Sequence, residues 1–196
     1  MVEHQKILEW ANNHWEESII PSLSELIQVK ALSPSFDPDW KRRGELHETI
    51  DIFERWAMEQ DVSGIQTHKF ELDGLTPLLI IKVEGSGPGE VLFYSHLDKQ
   101  PSRPELWSDG LSPLNAVRRD PWLYGRGSVD DGYGGYLCLS AIKALQDHNQ
   151  NHPSVTFLIE TCEESGSYDL PYYLDHCSKY LGSPDLVVVM DSGGPD

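Results

Sequence analysis

Several acidic residues and one histidine stand directly after short apolar runs in this sequence. The runs are 91–94 (VLFY), 155–159 (VTFLI) and 186–190 (LVVVM). The polar residues that follow them are His96, Asp98, Glu163, Glu164 and Asp191. A Gly-rich stretch, 125–131 (GRGSVDD), adds Asp130 and Asp131 just before a predicted helix. Because ligands bind outside the carboxyl ends of strands in open α/β sheets, these side chains are predicted to meet at one edge.

So many carboxylates in one place would repel one another unless a cation lay among them. An imidazole with carboxylates and no thiolate is a ligand set that suits zinc, manganese or cobalt in a hydrolytic site. Two ions sharing one carboxylate and a water molecule would use this number of ligands. The residues therefore predict a metal-dependent hydrolytic site.

Each of these features also has an ordinary structural interpretation. The histidine could simply be hydrogen-bonded to Asp98, and the paired glutamates could be solvated loop charge. Asp191 could cap a helix or a turn, and Asp130-Asp131 could cap the following helix. The combination of order, spacing and position after predicted strands favours the metal site.

Helical periodicity dominates the first sixty residues. Two apolar stripes recur at helical spacing and predict buried helix faces. They are Leu8, Ala11, Trp15 and Ile19, and then Leu46, Ile50, Phe53 and Ala57. Between them, Ser22 and Glu25 have the spacing of a capping box and predict the start of a short helix. Residues 33–40, which contain two prolines, are predicted to form a loop.

After residue 61 the pattern changes to short strands separated by helices. Residues 68–72 and 78–83 are predicted to form a hairpin through the turn dipeptide Asp73-Gly74. The three apolar runs are predicted to be buried strands. Two apolar faces predict further helices, namely Cys138, Ala141, Ile142 and Leu145, and Leu170, Tyr173, Leu174 and Cys177. The predicted fold class is α/β, a three-layer sandwich with a mixed sheet between helices.

The composition argues against several classes of function. The 196 residues carry a formal net charge of −17, and such a field repels the phosphate backbone of nucleic acids. No apolar run approaches the ~18–20 residues of a membrane span, and the N-terminus lacks the apolar region of a secretory signal. A cytoplasmic protein that contacts neither nucleic acid nor membrane is predicted. The three cysteines are widely spaced without a CxxC pair, which argues against disulfides and a thiolate zinc site.

Four stretches of the sequence, taken together, carry a resemblance to a known family, namely SHLDKQP (95–101), LYGRGSVDDGYGG (123–135), ETCEESGS (160–167) and VVVMDSG (187–193). They resemble the metallopeptidase family that contains acetylornithine deacetylase, succinyl-diaminopimelate desuccinylase, aminoacylase, glutamate carboxypeptidase and the carnosine dipeptidases. Their order along the chain is the family's order. The EESGS sequence and the Asp-Asp pair after GRG resemble the dipeptidase branch.

The resemblance implies a zinc-peptidase-like catalytic domain with two zinc ions, for which manganese or cobalt could substitute. It implies that His96 and Asp191 bind one ion, that Glu164 binds the other, and that Asp130 bridges both. It also implies a homodimeric full-length protein.

The resemblance also implies two catalytic roles. Asp98 would orient and polarise the imidazole of His96. Glu163 would be the general base, taking a proton from a metal-bridging water that attacks an amide carbonyl and returning the proton to the departing amine.

One departure from the family concerns the bridging aspartate. The family usually has an Asp-x-Lys-Gly pattern there, whereas Asp131-Gly132-Tyr133 follows Asp130 in this chain. Either one residue is inserted or Asp131 takes the bridging place. Asp130 is preferred because it keeps the GRG-x-x-Asp spacing.

A second departure concerns extent. The resemblance implies that residues 1–196 are the N-terminal portion of the catalytic domain. The lid and dimerisation domain, the final strands and a late histidine ligand would be absent. We therefore expect the 196-residue chain alone to be inactive. His148 and His176 are expected to be solvated surface residues that do not replace the missing ligand.

The expected substrate is a dipeptide or short peptide. One alternative is an N-acyl amino acid, cleaved by a deacylase with the same site, and another is a metal-binding fragment without activity. The sequence does not separate these, because in the family the substrate carboxylate is typically held by residues in the absent half.

Overall fold

A computed structural model describes residues 2–191 as a five-stranded sheet with helices on both faces. The strands of this sheet are β1 (Ile65–Phe70), β2 (Leu78–Val83), β3 (Glu90–His96), β6 (Ser154–Glu160) and β7 (Leu186–Val189). A separate antiparallel pair is formed by β4 (Val117–Arg119) and β5 (Trp122–Tyr124). The helices are α1 (Val2–His14), α2 (Ile20–Gln28), α3 (Trp40–Arg43), α4 (Glu45–Met58), α5 (Gly132–Asp147), α6 (Leu170–His176) and α7 (Ser178–Leu181).

The strand order in the large sheet is β1-β2-β6-β3-β7. The pairs β1–β2 and β2–β6 are antiparallel, whereas β3 pairs in parallel with both β6 and β7. The sheet is therefore mixed, with three parallel strands whose carboxyl ends lie at the same edge. This confirms the predicted α/β sandwich.

The two faces of the sheet have separate cores. On one face, alternate residues of β2 and β6 pack against α2, α4 and α5, as Ile81 and Phe157 illustrate. On the other face the intervening residues, such as Ile80 and Leu158, pack against Tyr173 of α6. Because side chains alternate across a strand, these two buried sets fix the register of the sheet.

The N-terminal helices differ from the prediction at Ser22. The chain continues in helical conformation from α1 through a π-helical turn at Trp15–Ile19 directly into α2, so no helix begins at Ser22. The Ser22 hydroxyl instead lies 2.8 Å from the Tyr136 hydroxyl of α5. The first predicted stripe is also buried only in part, because Leu8 is exposed while Ile19 is buried. The second stripe, on α4, is buried throughout.

The buried face of α5 is rotated relative to the predicted one. Cys138 and Ile142 are buried as expected, but Ala141 and Leu145 face outward. Their places in the core are taken by residues of the neighbouring helical row, including Leu139. On α6 the prediction is closer, with Tyr173 buried and Leu174 partly exposed.

The last apolar run was predicted to be a buried strand, and this is wrong for β7. Leu186, Val187 and Val189 are each more than half exposed. The reason is position, because β7 is at the end of the strand order and pairs only with β3 among residues 2–191. Apolar composition alone does not distinguish an edge strand from a central one.

The hairpin β1–β2 forms as predicted, but its first strand covers residues 65–70 instead of 68–72. Its register pairs Phe70 with Leu78, and residues 71–77 connect the strands. Residues 33–39 form the predicted loop, and α3 begins at Trp40.

No helix within residues 2–191 is both long and apolar enough to cross a membrane.

Candidate metal centre

The carboxyl ends of β3, β6 and β7 carry the predicted site residues to one edge of the sheet. His96 is the last residue of β3 and pairs with Glu160, the last residue of β6. On the other side of β3, strand β7 ends at Val189, which pairs in register with Tyr94 of β3. Asp191, two residues beyond, therefore lies level with His96. The predicted convergence at the strand ends follows from this parallel register.

The imidazole of His96 is at the centre of the cluster and is completely buried. Its Nε2 atom lies 3.3 Å from Asp130 Oδ1, 3.7 Å from Glu163 Oε2 and 3.9 Å from Asp191 Oδ2. None of these contacts is an aligned hydrogen bond, so Nε2 is a buried polar atom without a partner. Carboxylate oxygens surround this nitrogen.

Two groups of side chains in this cluster have the composition of a metal site. One contains His96, Asp130 and Glu164, and the other contains His96, Glu163 and Asp191. Within each group the potential ligand atoms all lie within 4.8 Å of one another. All four side chains predicted to bind metal are thus brought together, and Glu163 lies with them. His148 and His176 belong to neither group, and the His148 ring bonds to the Ala144 carbonyl at the end of α5.

The other imidazole nitrogen of His96 faces Asp98. His96 Nδ1 lies 3.1 Å from the Asp98 carbonyl oxygen and 3.3 Å from its Oδ1 atom. A proton on Nδ1 that is donated to these oxygens leaves Nε2 free to bind a metal ion. The Asp98 carboxylate also accepts the backbone N–H groups of Glu163 and Glu164, at 3.2 and 3.1 Å. Asp98 therefore fixes the imidazole and the glutamate turn together.

The two adjacent aspartates point in different directions. Asp130 faces His96 and Arg126, and contact with His96 lowers the pKa of its carboxyl. The Asp131 carboxylate is buried behind the cluster, where Oδ2 accepts the backbone N–H of His96 at 3.2 Å. Burial raises the pKa of Asp131 to about 7. Asp131 precedes α5, but its side chain makes no capping hydrogen bond to that helix. The geometry thus supports Asp130, and not Asp131, as the residue that faces a metal ion.

The paired glutamates lie on a short 3₁₀ turn, Glu163–Ser165. This turn is fixed from outside the cluster by the Ser165 hydroxyl, which lies 2.6 Å from that of Ser33 and accepts the N–H of Ser35. Behind the turn, buried Glu160 accepts hydrogen bonds from the hydroxyls of Tyr94 and Ser167. The turn is therefore held in place on two sides.

The electrostatics of the cluster favour a cation. Burial alone would lower the pKa of His96, yet contacts with the carboxylates of Asp130 and Asp98 raise it to about 11. Burial raises the pKa of Glu163, and the nearby Asp191 and Asp98 raise it further. The rise at His96 reflects the carboxylates around it, and carboxylates this close together favour a cation among them. A divalent ion at the free Nε2 atom would supply this charge, and imidazole with carboxylates is a donor set that zinc accepts. The residues fit the predicted metal.

Sequence reasoning missed three residues that contact or brace the cluster. Arg126 donates hydrogen bonds to the carboxylates of Asp130 and Glu164, and Gln100 donates one to Glu164. The buried Lys99 donates to the Leu26 carbonyl near the end of α2. All three lie inside the quoted stretches 95–101 and 123–135. Their position within these motifs was the available signal, but their partners come from other loops.

Comparison with known proteins gives a consistent result. A sequence model of peptidase family M20/M25/M40 matches residues 92–196. The chain is similar to the human Beta-Ala-His dipeptidase, with 28% identity over 201 residues that cover 96% of this chain and 38% of the relative. It is also similar to a succinyl-diaminopimelate desuccinylase of Bradyrhizobium, with 33% identity over 65% of this chain and 37% of the relative.

Among solved structures, human carnosine dipeptidase 1 superimposes with a TM-score of 0.76 at 24% sequence identity. The match covers 96% of this chain and 41% of that protein, and it supports the fold. The chain thus spans about two-fifths of the length of these relatives. The last of the four motifs quoted from the sequence, 187–193, includes Ser192 and Gly193, which lie outside the residues that the structure describes.

Proposed function

The chain belongs to peptidase family M20/M25/M40, and on this basis we propose that the protein is a metal-dependent hydrolase that cleaves the amide bond of dipeptides or short peptides. The observation that carries the proposal is the partnerless, buried Nε2 atom of His96, with carboxylates of Asp130, Glu163 and Asp191 within 4 Å. The dipeptidase named among the relatives supports the substrate class.

We assign to the clustered side chains the metal-binding roles that the family resemblance implies. His96 and Asp191 would hold one zinc ion, Glu164 would hold a second, and Asp130 would be shared by both. When bound, the ions activate a water molecule and polarise the carbonyl of the scissile amide. Manganese or cobalt, which accept the same ligands, are the alternatives to test.

The catalytic proton transfers fall to Glu163. Its side chain is about one-third exposed, beside His96, so it faces both the cluster and the open cleft. Its raised pKa makes it a better proton acceptor than an ordinary glutamate. Glu163 takes the proton of the attacking water and delivers it to the departing nitrogen. Asp98, which is fully buried, keeps the imidazole and the glutamate turn in position.

A second candidate is hydrolysis of N-acyl amino acids by the same residues. The similarity to a succinyl-diaminopimelate desuccinylase favours it. Both reactions break an amide bond, so the same metal ions and the same base serve either one. The homodimer, the cytoplasmic location and inactivity of the 196-residue chain on its own remain predictions.

The test is a hydrolysis assay of the full-length protein beside the 196-residue chain, with zinc, manganese or cobalt added, against matched panels of dipeptides and N-acyl amino acids. We expect the full-length protein to release amine from one panel, to lose activity in a chelator and to recover it on adding metal, and we expect no turnover by the 196-residue chain. A preference between panels decides between the two candidates. Turnover that a chelator does not change would contradict the metal mechanism, and metal binding without turnover on either panel would favour a fragment without activity.

A further inference from the structure

We propose that Arg126 and Gln100 are positioning residues of the metal centre, which hold the Glu164 carboxylate in place and so set the affinity of the ion that it would bind. Neither residue is assigned by the roles above. The inference rests on the proposed function, because it assumes that Glu164 binds metal.

The contacts that carry this inference occupy both oxygens of one carboxylate. Arg126 Nη2 donates to Glu164 Oε1 at 2.7 Å and to Asp130 Oδ2 at 3.1 Å. Gln100 Nε2 donates to Glu164 Oε2. The Glu164 side chain is only 6% exposed, so it has little freedom to adopt another rotamer. One guanidinium therefore joins the two carboxylates that the second ion would share.

These hydrogen bonds leave room for a metal ion. A carboxylate has about four lone-pair positions on its two oxygens, so each oxygen of Glu164 can accept one hydrogen bond and still face an ion. Ligating carboxylates in proteins are commonly held this way by outer partners, which fix their orientation. Gln100 and Arg126 supply such partners from two different loops.

The backbone around Arg126 is itself fixed, which makes the guanidinium a rigid support. Gly125 and Gly127 flank it, and a Cβ at either position would lie 2.5 Å from Ile27 Cγ2 or 2.7 Å from Lys99 Cε. The Arg126 N–H also donates to the Pro113 carbonyl at 2.8 Å. Positive φ at Gly127, +84°, completes a turn that a residue with a side chain would strain.

Arg126 could instead lower the metal affinity of the cluster, and the experiment must distinguish this effect from the positioning role. A cation between two carboxylates also neutralises them, so the guanidinium could compete with the second ion for Asp130 and Glu164. The two effects have opposite signs. Losing a support lowers metal affinity, whereas losing a competitor raises it.

The variants are chosen to separate these signs. Arg126→Lys keeps the charge but loses the planar guanidinium that reaches both carboxylates. Gln100→Ala removes one support without any change of charge. Matched controls are Arg103→Lys and Gln28→Ala, which alter exposed side chains outside the cluster.

The measurement is zinc affinity of the full chain, by competition with a chromophoric chelator, and Glu164→Ala identifies the ion concerned. We expect Arg126→Lys and Gln100→Ala each to weaken that ion about 10-fold or more, the usual effect of removing an outer partner. The other ion should be unchanged in Gln100→Ala, which contacts Glu164 but not Asp130, and both controls should bind zinc like the wild type.

Two kinds of result would overturn these ideas separately. If Glu164→Ala removes an ion while Arg126→Lys and Gln100→Ala bind zinc like the wild type, the positioning role is refuted and the metal centre stands. Tighter binding in Arg126→Lys refutes the positioning role as well. If the wild type binds no zinc, or Glu164→Ala binds as much as the wild type, the assignment of Glu164 in the proposed function fails.

Discussion

Asp98 lies two residues after His96, and the two side chains face each other with Oδ1 of Asp98 3.3 Å from Nδ1 of His96. Both side chains are completely buried. The same carboxylate accepts the backbone N–H groups of both residues of the glutamate pair. One side chain thus connects the imidazole to the turn that carries the proposed base.

Asp98→Asn should weaken metal binding about 10–100-fold, the range observed when an outer partner of a ligand is removed. The amide keeps the size of the side chain, but its nitrogen cannot accept one of the two N–H groups that Asp98 now binds. Zinc affinity by chelator competition is the measurement, and Asp109→Asn, at an exposed position, is the control. Equal affinities in the two variants would contradict the role given to Asp98.

In the full-length protein, Glu163→Gln should abolish hydrolysis while the metal content stays nearly unchanged, because the proton acceptor is lost and the proposed ligands remain. Glu164→Gln should instead lose metal. Metal content by elemental analysis and turnover on the preferred substrate measure both outcomes. Loss of metal from the Glu163 variant would show that the two glutamates have exchanged roles.

Lys99→Met should destabilise the fold by about 1–3 kcal/mol, the cost of leaving a buried acceptor unpaired. The ammonium of Lys99 donates to the carbonyl oxygens of Leu26, Ile27 and Val29, at 2.8, 3.3 and 2.6 Å, where α2 ends. Methionine fills the space but donates to none of them. Urea unfolding measures the change, with Lys30→Met, at an exposed lysine, as the control. Equal losses in both variants would refute this role.

The same lysine should make stability depend on pH. Burial, with some help from Arg126, lowers the pKa of Lys99 to about 7, while Glu45 opposes the shift weakly. The unfolded chain therefore binds more protons than the folded one between that pH and the ordinary lysine pKa of about 10.4. Its free energy of unfolding should rise with pH across this window, and a Lys99→Met variant should lack this rise. Unfolding curves in a chelator, from pH 7 upward, test this. If the free energies of unfolding of the wild type and of Lys99→Met change equally with pH, the three carbonyls keep Lys99 charged across this window.

The exposed edge strand β7 should promote association of the 196-residue chain. Its unpaired backbone and its exposed Leu186, Val187 and Val189 resemble a template for another strand. Val187→Lys should reduce concentration-dependent light scattering, because a charge opposes pairing at a strand edge. Leu8→Lys, which alters an equally exposed residue of α1, is the control. If both variants scatter like the wild type, association occurs elsewhere or not at all.

The sequence predicted the sheet and the convergence of the site because both depend on local patterns. Apolar runs such as 155–159 identify strands, and the polar residues after them need only a parallel arrangement to meet. The failures occurred where a neighbour decides the outcome. Burial of β7 depends on what lies beside it, and the buried face of α5 depends on the helices packed against it, where Tyr136 contacts Phe53 of α4.

The supports of the site could not be predicted for the same reason. Lys99, Gln100 and Arg126 lie beside recognised motif residues, but each acts on a loop distant in sequence. Lys99 binds the end of α2, and Arg126 reaches the glutamate turn. Spacing along the chain carries no information about such meetings. The sequence preferred Asp130 to Asp131 only by motif spacing. In the structure Asp130 faces the His96 ring, whereas Asp131 accepts the His96 backbone N–H.

The parallel pairing of β3 with β7 has a consequence for the order of events during synthesis. His96 and Asp191 become neighbours only when β7 joins β3, and nearly the whole second half of the described chain lies between them. Closing so long a connection is entropically costly and comes late in folding. A ribosome-bound chain without β7 would lack Asp191, so the zinc ion proposed to bind His96 and Asp191 would be short of a ligand. Full occupancy of that ion's site would then mark the joining of β7 to β3.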